Sequence, residues 1–465
     1  MAVPRTYHLV TLGCPKNDVD SEHLERLLAG GELLPVLQPD DADAIIVNTC
    51  GFIEQSQEQS MEAVRQLAAA KREGQTLIVA GCMTQLYGRQ VKESAPAVDH
   101  IFGVGQWQDV ARLLSVDVDA IFDIPESNAR LAGPSAYLKI SDGCDAPCTF
   151  CVIPQFRGSF RSRRFESVLH EARDLFARGV REINLIGQDT TAYGDDLGIR
   201  DGLAALLERL DQIETDHPKW IRFLYCYPNR ITRRLLDVIA AGPSLVKYID
   251  MPLQHASASV LKRMKRGASG DIFLKTLDRI RAAIPGVAIR TSMIVGFPGE
   301  TEKDFEELCA FVEAARFDRL GVFSYSDEET SQSYHLDGKV DKRTIYNRKR
   351  RLLALQRKIS RRLNRRWVGQ ETDVLIEGPS PESELLWQAR LASQAPDIDG
   401  VCYLEDPGDP APRPGQFRRL RVTRAHDYDL IGVLTDDPPA DPAPLPPANP
   451  FRIIQSTAGH PRQHQ

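Results

Sequence analysis

The sequence predicts a three-part α/β protein, with an N-terminal parallel α/β domain, a central partial (β/α)6 barrel and a small antiparallel β-barrel near the C-terminus. At 465 residues the chain is too long for a single hydrophobic core. Apolar strands alternate with helical stretches in two separate blocks, as in parallel sheets, and a last block has short strands without helices. We expect domains at 5–117, 130–367 and 370–435, followed by a disordered Pro-rich tail over 436–465.

The composition is that of an ordinary globular protein. Charged residues make up 26% of the chain and apolar residues 42%, and the net charge of -6 argues against a chain that binds polyanions over its whole surface. The N-terminus has no signal-like apolar region and no stretch is long enough to cross a bilayer, so we expect a cytoplasmic protein. Nine cysteines in such a chain predict ligands, nucleophiles or core residues rather than disulfides.

The first block places a cysteine at the end of each of its strands. Strand candidates 7–13, 43–50 and 76–82 end in or precede Cys14, Cys50 and Cys82, here called the N-terminal trio. Ligands bind beyond the carboxyl ends of parallel strands, so three thiolates can meet at one edge of this sheet. Three buried core cysteines are the alternative, but their equivalent positions beside Gly or Thr favour a metal site.

The second block opens with three closely spaced cysteines in the segment GCDAPCTFCVIP. Cys144, Cys148 and Cys151, here called the loop trio, have C-x3-C-x2-C spacing. A closed zinc site needs four ligands, and the next candidate, His170, lies in a helical pattern. A four-iron cluster held by three thiolates keeps one iron open for a chelating small molecule, so we favour iron over zinc.

The rest of the second block supplies the strands of a barrel. Six strand candidates alternate with helical stretches, and polar residues gather at the strand ends, where barrel enzymes place their chemistry. The candidates are 136–140, 181–189, 220–227, 246–255, 288–299 and 319–326.

This cysteine loop after the first strand of a partial barrel resembles the radical S-adenosylmethionine (SAM) superfamily over residues 130–335. The resemblance implies a [4Fe-4S] cluster whose open iron binds SAM and whose electron cleaves it to a 5′-deoxyadenosyl radical. For each of the implied SAM-contacting residues alone, a role as a cap or turn residue is favoured, whereas the set together favours a SAM pocket. These residues are Phe150, Gln188, Asp189, His255, Arg290, Gly296 and Glu300.

The complete layout resembles the methylthiotransferases over 5–435, on motifs such as TLGCPKNDVDSE, NTCGFI, AGCMTQ and MIVGFPGET. The resemblance implies a second [4Fe-4S] cluster on the N-terminal trio and a C-terminal TRAM domain that recognises a macromolecule. It also implies that the radical removes hydrogen from a substrate carbon, which then receives a methylthio group methylated by another SAM. No catalytic acid or base is assigned.

Two subfamilies of methylthiotransferases compete. One modifies an adenosine of transfer RNA and the other the β-carbon of an aspartate in small-subunit ribosomal protein twelve. The transfer RNA enzymes usually have Gln-Met-Asn after the first cysteine, whereas this chain has Pro15-Lys16-Asn17. Residues 370–435 contain twelve acidic and six Lys or Arg residues, which suits a basic protein substrate better than RNA. We therefore favour the ribosomal-protein enzyme, acting free or on the ribosome.

Several features leave alternatives open. The run 342–366 has twelve Lys or Arg residues and no acid, which fits a packed helix with a solvated face slightly better than an RNA-binding surface.

A non-catalytic RNA-binding protein with structural metals, or a plain methyltransferase, is the rival function. A flavodoxin or ferredoxin is the expected electron donor. Core packing accounts for the remaining cysteines, Cys226, Cys309 and Cys402.

Overall fold

The computed structural model describes residues 4–118, 133–408, 411–435 and 453–456. Its N-terminal unit is a parallel sheet in the order β5-β4-β3-β1, with β2 pairing the start of β1, and apolar side chains fill both faces. The elements are β1 (Thr6–Gly13), α1 (Pro15–Gly30), β2 (Leu34–Pro35), β3 (Ala44–Thr49), α2 (Glu54–Ala70), β4 (Thr76–Gly81), α3 (Cys82–Ser94), β5 (His100–Ile101) and α4 (Trp107–Leu113).

The central unit is an open barrel of six parallel strands in chain order. Its first half begins with strand β6 and a short hairpin that carries the cysteine loop. The elements are β6 (Ser135–Lys139), β7 (Ser141–Asp142), α5 (Ile153–Arg157), β8 (Arg161–Ser162), α6 (Phe165–Ala177), β9 (Glu182–Ile186), α7 (Gly202–Asp211) and β10 (Trp220–Phe223). The second half comprises α8 (Arg233–Ala241), β11 (Tyr248–Asp250), α9 (Ala258–Arg263), α10 (Gly270–Ala283), β12 (Ala288–Val295), α11 (Glu302–Ala315), β13 (Arg319–Ser324) and α12 (Lys342–Asn364).

Hydrogen bonds join these strands into two sheets, β6-β9-β10 and β11-β12-β13. Backbone bonds from Val246 to Ile221 (3.1 Å) and from Cys226 to Asp250 (2.9 Å) connect β10 to β11. Helices cover the outside of this array, which explains why its central strands are apolar on both faces. The predicted six-stranded partial barrel is confirmed.

Helix α12 packs along the outside of the barrel. Asp341 caps its start by accepting a hydrogen bond from the Thr344 amide (3.0 Å). Its apolar stripe, including Leu352 and Ile359, is buried against the barrel core, while most of its Lys and Arg side chains remain exposed. The expected packed helix is therefore present.

The C-terminal unit is a closed five-stranded barrel in the order β14-β15-β16-β18-β17. Its strands are β14 (Glu371–Ser380), β15 (Ser383–Leu391), β16 (Cys402–Leu404), β17 (Phe417–Ala425) and β18 (Leu430–Leu434). The predicted small β-barrel is confirmed, but it is not wholly antiparallel. The pair β16-β18 is parallel, because β17 crosses the barrel between them in sequence and closes it on the other side.

Part of the predicted tail is ordered. Ile453–Ser456 form strand β19, which pairs in parallel with Val10–Gly13 of β1. This short strand departs from the disorder expected over 436–465, the rest of which lies outside the described residues. Its Ile-Ile pair favours extended structure, and β2 pairs only with Thr6 and Tyr7, which leaves the second half of that edge open.

No helix in the described part of the chain is long and apolar enough to span a membrane.

Candidate iron–sulfur and SAM site

The N-terminal trio lies at one edge of the first sheet. Cys14 precedes α1, Cys50 follows β3 and Cys82 begins α3, and the three strands that lead to them are neighbours. Burial and the nearby Cys14 thiol raise the pKa of Cys50 to about 11. Burial raises the pKa of Cys82 to about 12, with Arg157 opposing and Cys50 and Cys14 adding to the rise. The three thiols are thus close enough to influence one another electrostatically, and their role as ligands of one cluster stays a prediction.

Gly13 makes this close approach possible. Its φ is +111°, a region that favours glycine, and an added Cβ would lie 2.7 Å from Cβ and 3.0 Å from Sγ of Cys50. Asn17 then fixes the start of α1 by donating to the carbonyls of Leu12 (2.8 Å) and Thr49 (3.1 Å). The ends of β1 and β3, and with them Cys14 and Cys50, are held together.

The loop trio is fixed to the end of α9 and to the segment that follows β13. The Thr149 amide donates to the Met264 carbonyl (3.2 Å), its hydroxyl donates to the Arg263 carbonyl (2.9 Å), and its own carbonyl accepts from the Ser333 amide (2.9 Å). Burial raises the pKa of Cys151 to about 12, and the thiols of Cys148 and Cys144 contribute to the rise. The loop therefore presents three neighbouring thiols in a fixed geometry.

Each trio has a buried arginine beside it, which the sequence did not predict. Arg157 Nη2 is 3.5 Å from Sγ of Cys82, and Arg266 Nη1 is 3.4 Å from Sγ of Cys148. The Arg266 guanidinium also stacks on Tyr227, with its carbon 4.4 Å from the ring centre. Guanidinium groups this close stabilise the thiolate form that binds iron.

Arg157 also links the two trios. Its guanidinium donates to Asn17 and Asp20 of α1 (2.9 Å each) and to Asp142 at the base of the cysteine loop (3.2 Å). The side chain is 5% exposed, so this bridge is shielded from water. Arg157 therefore joins the N-terminal domain, beside Cys82, to the base of the loop that carries the second trio.

Apolar contacts support this arrangement. Cys82 packs with Val152 and Phe156, which directly follow the loop trio in sequence. The described residues contain no group of three His, Cys, Asp or Glu side chains arranged around a single metal ion. A four-iron cluster instead distributes its thiolates over separate irons, and two thiol trios with adjacent cations fit that donor set.

Of the predicted SAM contacts, Gln188 has the features of a ligand contact. It follows β9, and neither its amide nitrogen nor its amide oxygen has a hydrogen-bond partner, although both atoms are buried. The neighbouring Asp189 accepts from the Thr191 amide (3.0 Å) and lies 3.6 Å from Arg230. Burial raises the pKa of Asp189. Phe150 packs against the barrel core.

Glu300 shapes the glycine segment after β12. Its carboxylate accepts from the amides of Gly296 (2.5 Å) and Phe297 (3.1 Å) and from the Arg348 guanidinium of α12 (3.1 Å). Burial raises the pKa of Glu300 to about 7, while Arg348 opposes the rise. Gly296 has φ +81°, so it can make the turn that this carboxylate holds. Glu300 therefore fixes the backbone at Gly296 and Phe297 and connects it to α12.

His255 lies beside this network and is fully buried. Its Nδ1 accepts from the Ser257 amide (3.0 Å), and its Nε2 lies 3.9 Å from Glu300 without a hydrogen-bond partner. Burial lowers the pKa of His255 to about 3, so the imidazole is neutral at physiological pH.

Arg290 has a different set of neighbours from those expected at a strand end. It lies near the start of β12 and pairs with Asp250 (2.8 Å) and with Asp399 of the C-terminal barrel (3.6 Å). A structural role accounts for these ion pairs, because Asp399 belongs to the loop that joins β15 to β16. Its contact with SAM stays a prediction.

Comparisons with known proteins agree with this architecture. Residues 138–312 match the radical SAM superfamily, 6–103 the uncharacterized protein family UPF0004, and 368–434 the TRAM domain. The fold and site thus define a radical SAM enzyme with an added cysteine domain and a TRAM domain. Ribosomal protein uS12 methylthiotransferase RimO of Solibacter usitatus (strain Ellin6076) is 57% identical over 96% of this chain and 97% of its own length. This chain belongs to the RimO family.

A second relative, ribosomal protein uS12 methylthiotransferase RimO of Koribacter versatilis (strain Ellin345), is 46% identical over 93% of this chain and 96% of its own. Among solved structures, the radical SAM methyltransferase TsrM of Kitasatospora setae, with cobalamin and a [4Fe-4S] cluster bound, has a TM-score of 0.53. It covers 69% of this chain and 75% of its own at 14% identity, so the likeness concerns the fold alone. The predicted family and fold class are confirmed.

Proposed function

We propose that this chain transfers a methylthio group to the β-carbon of an aspartate in ribosomal protein uS12. The observation that carries this proposal is the pair of cysteine trios bridged by Arg157, in a chain that belongs to the RimO family. A plain methyltransferase would not need the N-terminal trio. The transfer RNA alternative is not favoured, because the full-length relatives are named for uS12.

Each trio is proposed to hold one [4Fe-4S] cluster, with SAM on the cluster of the loop trio. With SAM, that cluster would supply the radical that can break an unactivated C–H bond. The protein supplies the six thiols, and Arg157 beside Cys82 and Arg266 beside Cys148 place one cation next to each trio.

The SAM pocket is proposed to lie between the loop trio and the ends of β9 and β12. The buried amide of Gln188 can both donate and accept hydrogen bonds, which suits the polar edge of a ligand. Glu300 holds the Gly296 turn, and the lack of a Cβ at Gly296 makes room for Ile345 of α12, which would lie 2.3 Å from it. Asp189 offers a carboxylate at the same end of the barrel as Gln188.

The C-terminal barrel is proposed to bind uS12. Its acidic excess suits a basic protein, although part of that excess is used internally. Asp399 accepts from the Tyr248 hydroxyl (2.7 Å), and Asp427 pairs with Arg361 of α12. The exposed cations of α12 lie next to this barrel, and we propose that they contact ribosomal RNA around uS12. A flavodoxin or ferredoxin is the proposed electron donor.

The test is an anaerobic reaction of the iron-loaded chain with SAM, a reductant and either uS12 or transfer RNA. Mass spectrometry of uS12 should show one hydrogen replaced by one methylthio group on an aspartate, with no change in the transfer RNA. Modification of the transfer RNA alone, or methylation without sulfur, would contradict the proposal.

A further inference from the structure

Lys16 is a largely buried lysine that pairs with no anion among the described residues. It is 9% exposed, and its ammonium nitrogen lies 3.5 Å from the centre of the Tyr225 ring. Within the part of the chain that the structure describes, no carboxylate or other acceptor binds this ammonium. A buried charge without a counter-charge is unfavourable, and contact with an aromatic face offsets only part of that cost. The site is therefore suited to an anionic ligand.

The position of Lys16 places this cation between the N-terminal trio and the mouth of the barrel. Lys16 is in the first turn of α1, two residues after Cys14, whereas Tyr225 follows β10 at the carboxyl end of the barrel. The contact between them crosses from the N-terminal domain to the barrel mouth. Cys14 is close enough to influence the Tyr225 hydroxyl electrostatically. An anion bound by Lys16 would thus lie beside the N-terminal trio.

The carboxylate and guanidinium groups around Tyr225 are already paired with one another. Asp250 accepts from the Tyr225 amide (3.0 Å) and from Arg290 (2.8 Å), and Arg290 also faces Asp399. Tyr225 is held at φ +64°, a strained region for a residue with a side chain, so its ring is presented in one orientation. The structure therefore fixes the ring under Lys16 without neutralising the lysine.

We propose that Lys16 binds the side-chain carboxylate of the target aspartate and so fixes its β-carbon between the trios. This inference rests on the proposed function. An ammonium and a carboxylate form a charge-assisted hydrogen bond, and the alternative substrate, a nucleobase, has no carboxylate. Lys16 is thus a positioning and specificity residue of this chain.

The experiment is a double-mutant cycle on the anaerobic, iron-loaded, full-length chain. Binding is measured for a uS12 peptide that contains the target aspartate and for the same peptide with asparagine there, using wild type, Lys16→Met and Lys16→Arg. Lys16→Met should weaken binding of the aspartate peptide about 10- to 100-fold and binding of the asparagine peptide less than about 3-fold. Lys16→Arg should recover part of the affinity. Iron content and SAM affinity should equal those of the wild type.

Lys219→Met is the matched control, because Lys219 donates to the carbonyls of Asp211 (3.1 Å) and Ile213 (2.6 Å) on the outside of the barrel. It should change neither peptide affinity. Equal weakening of both peptides by Lys16→Met, lost iron, or weaker SAM binding with unchanged peptide binding would each overturn the inference. A wild type that modifies uS12 but shows no coupling contradicts this inference alone. A wild type that leaves uS12 unmodified contradicts the proposed function instead.

Discussion

Arg157 shows how much of this site depends on one side chain that the sequence does not mark. The residue ends α5, and its partners Asp20 and Asn17 are 137 and 140 positions away in the chain. Nothing local distinguishes it from the many exposed arginines. Its role follows only from the docking of the first sheet onto the barrel, which is why sequence reasoning found the thiols but not the cation between them.

Replacing Arg157 by methionine should destabilise the docked domains. The change removes one partner from the buried carboxylate of Asp20 and one from the partly exposed carboxylate of Asp142, at a cost of about 3–5 kcal/mol. Thermal unfolding and iron content should both fall. Arg89→Met is the control, since the exposed Arg89–Glu93 pair contributes no more than about 0.5 kcal/mol. Equal melting temperatures for the two variants would contradict the role assigned to Arg157.

His255 should make stability depend on pH. Its folded-state pKa is lowered to about 3 by burial, whereas an unfolded histidine titrates near about 6.5. Between these two pKa values the imidazole binds a proton in the unfolded chain but not in the folded chain. The contribution of His255 to stability therefore falls by about 1.4 kcal/mol per pH unit as the solution becomes more acidic. His255→Asn keeps an acceptor for Ser257 but does not titrate. Between about pH 7.5 and pH 5.5 the melting temperature should fall more steeply for wild type than for His255→Asn. Equal slopes of melting temperature against pH would refute the assignment.

At the scale of elements, the strand ends were the predictable part of the site. Apolar runs followed by cysteine located Cys14, Cys50 and Cys82 at neighbouring strands, because the alternation of strands and helices allows only a parallel sheet there. The conformation of Gly13 was not predictable, since a glycine after a strand is common. Its positive φ follows from the contact with Cys50.

Gly13→Ala should damage the N-terminal trio selectively. The added methyl group would collide with Cys50, and iron should fall from about eight to about four per chain while the loop trio keeps its cluster. Gly74→Ala is the control, because Gly74 also has a positive φ (+86°) but an added Cβ meets nothing within 4 Å. If both variants keep the same iron, Gly13 does not shape this site.

Helix α12 was predicted as a packed basic helix, and substitution of its exposed cations tests the proposed RNA contact. Arg343, Arg350 and Lys358 are exposed on one side of the helix. Changing all three to glutamate should weaken binding to small ribosomal subunits and reduce its salt dependence, because fewer phosphates are contacted. Activity on free uS12 should stay the same.

The control for this prediction changes the same net charge elsewhere, at the exposed residues Arg65, Arg89 and Arg233. Fluorescence anisotropy over a salt series compares the two triple variants. If the control loses as much affinity as the α12 variant, only net charge matters and the helix is not an RNA surface.

At the scale of the molecule, both outer domains are fixed to the central barrel by buried charges. Glu182 at the start of β9 is fully buried and accepts from Arg222 (2.9 Å) and from Arg390 of the C-terminal barrel. The order of the three units could be predicted from changes in periodicity. The insertion of the loop between β15 and β16 against β10–β12, and the return of β19 to β1, could not, because neither leaves a local pattern.

The proposed reaction needs two separate iron sites in one chain, and counting the irons tests this requirement most directly. Wild type and two triple cysteine-to-alanine variants, one for each trio, are reconstituted anaerobically and analysed for iron and by Mössbauer spectroscopy. We expect about eight irons per wild-type chain and about four in each variant, all in four-iron clusters. A wild type that holds only about four irons, or an N-terminal variant that retains the full wild-type content, would contradict the central claim.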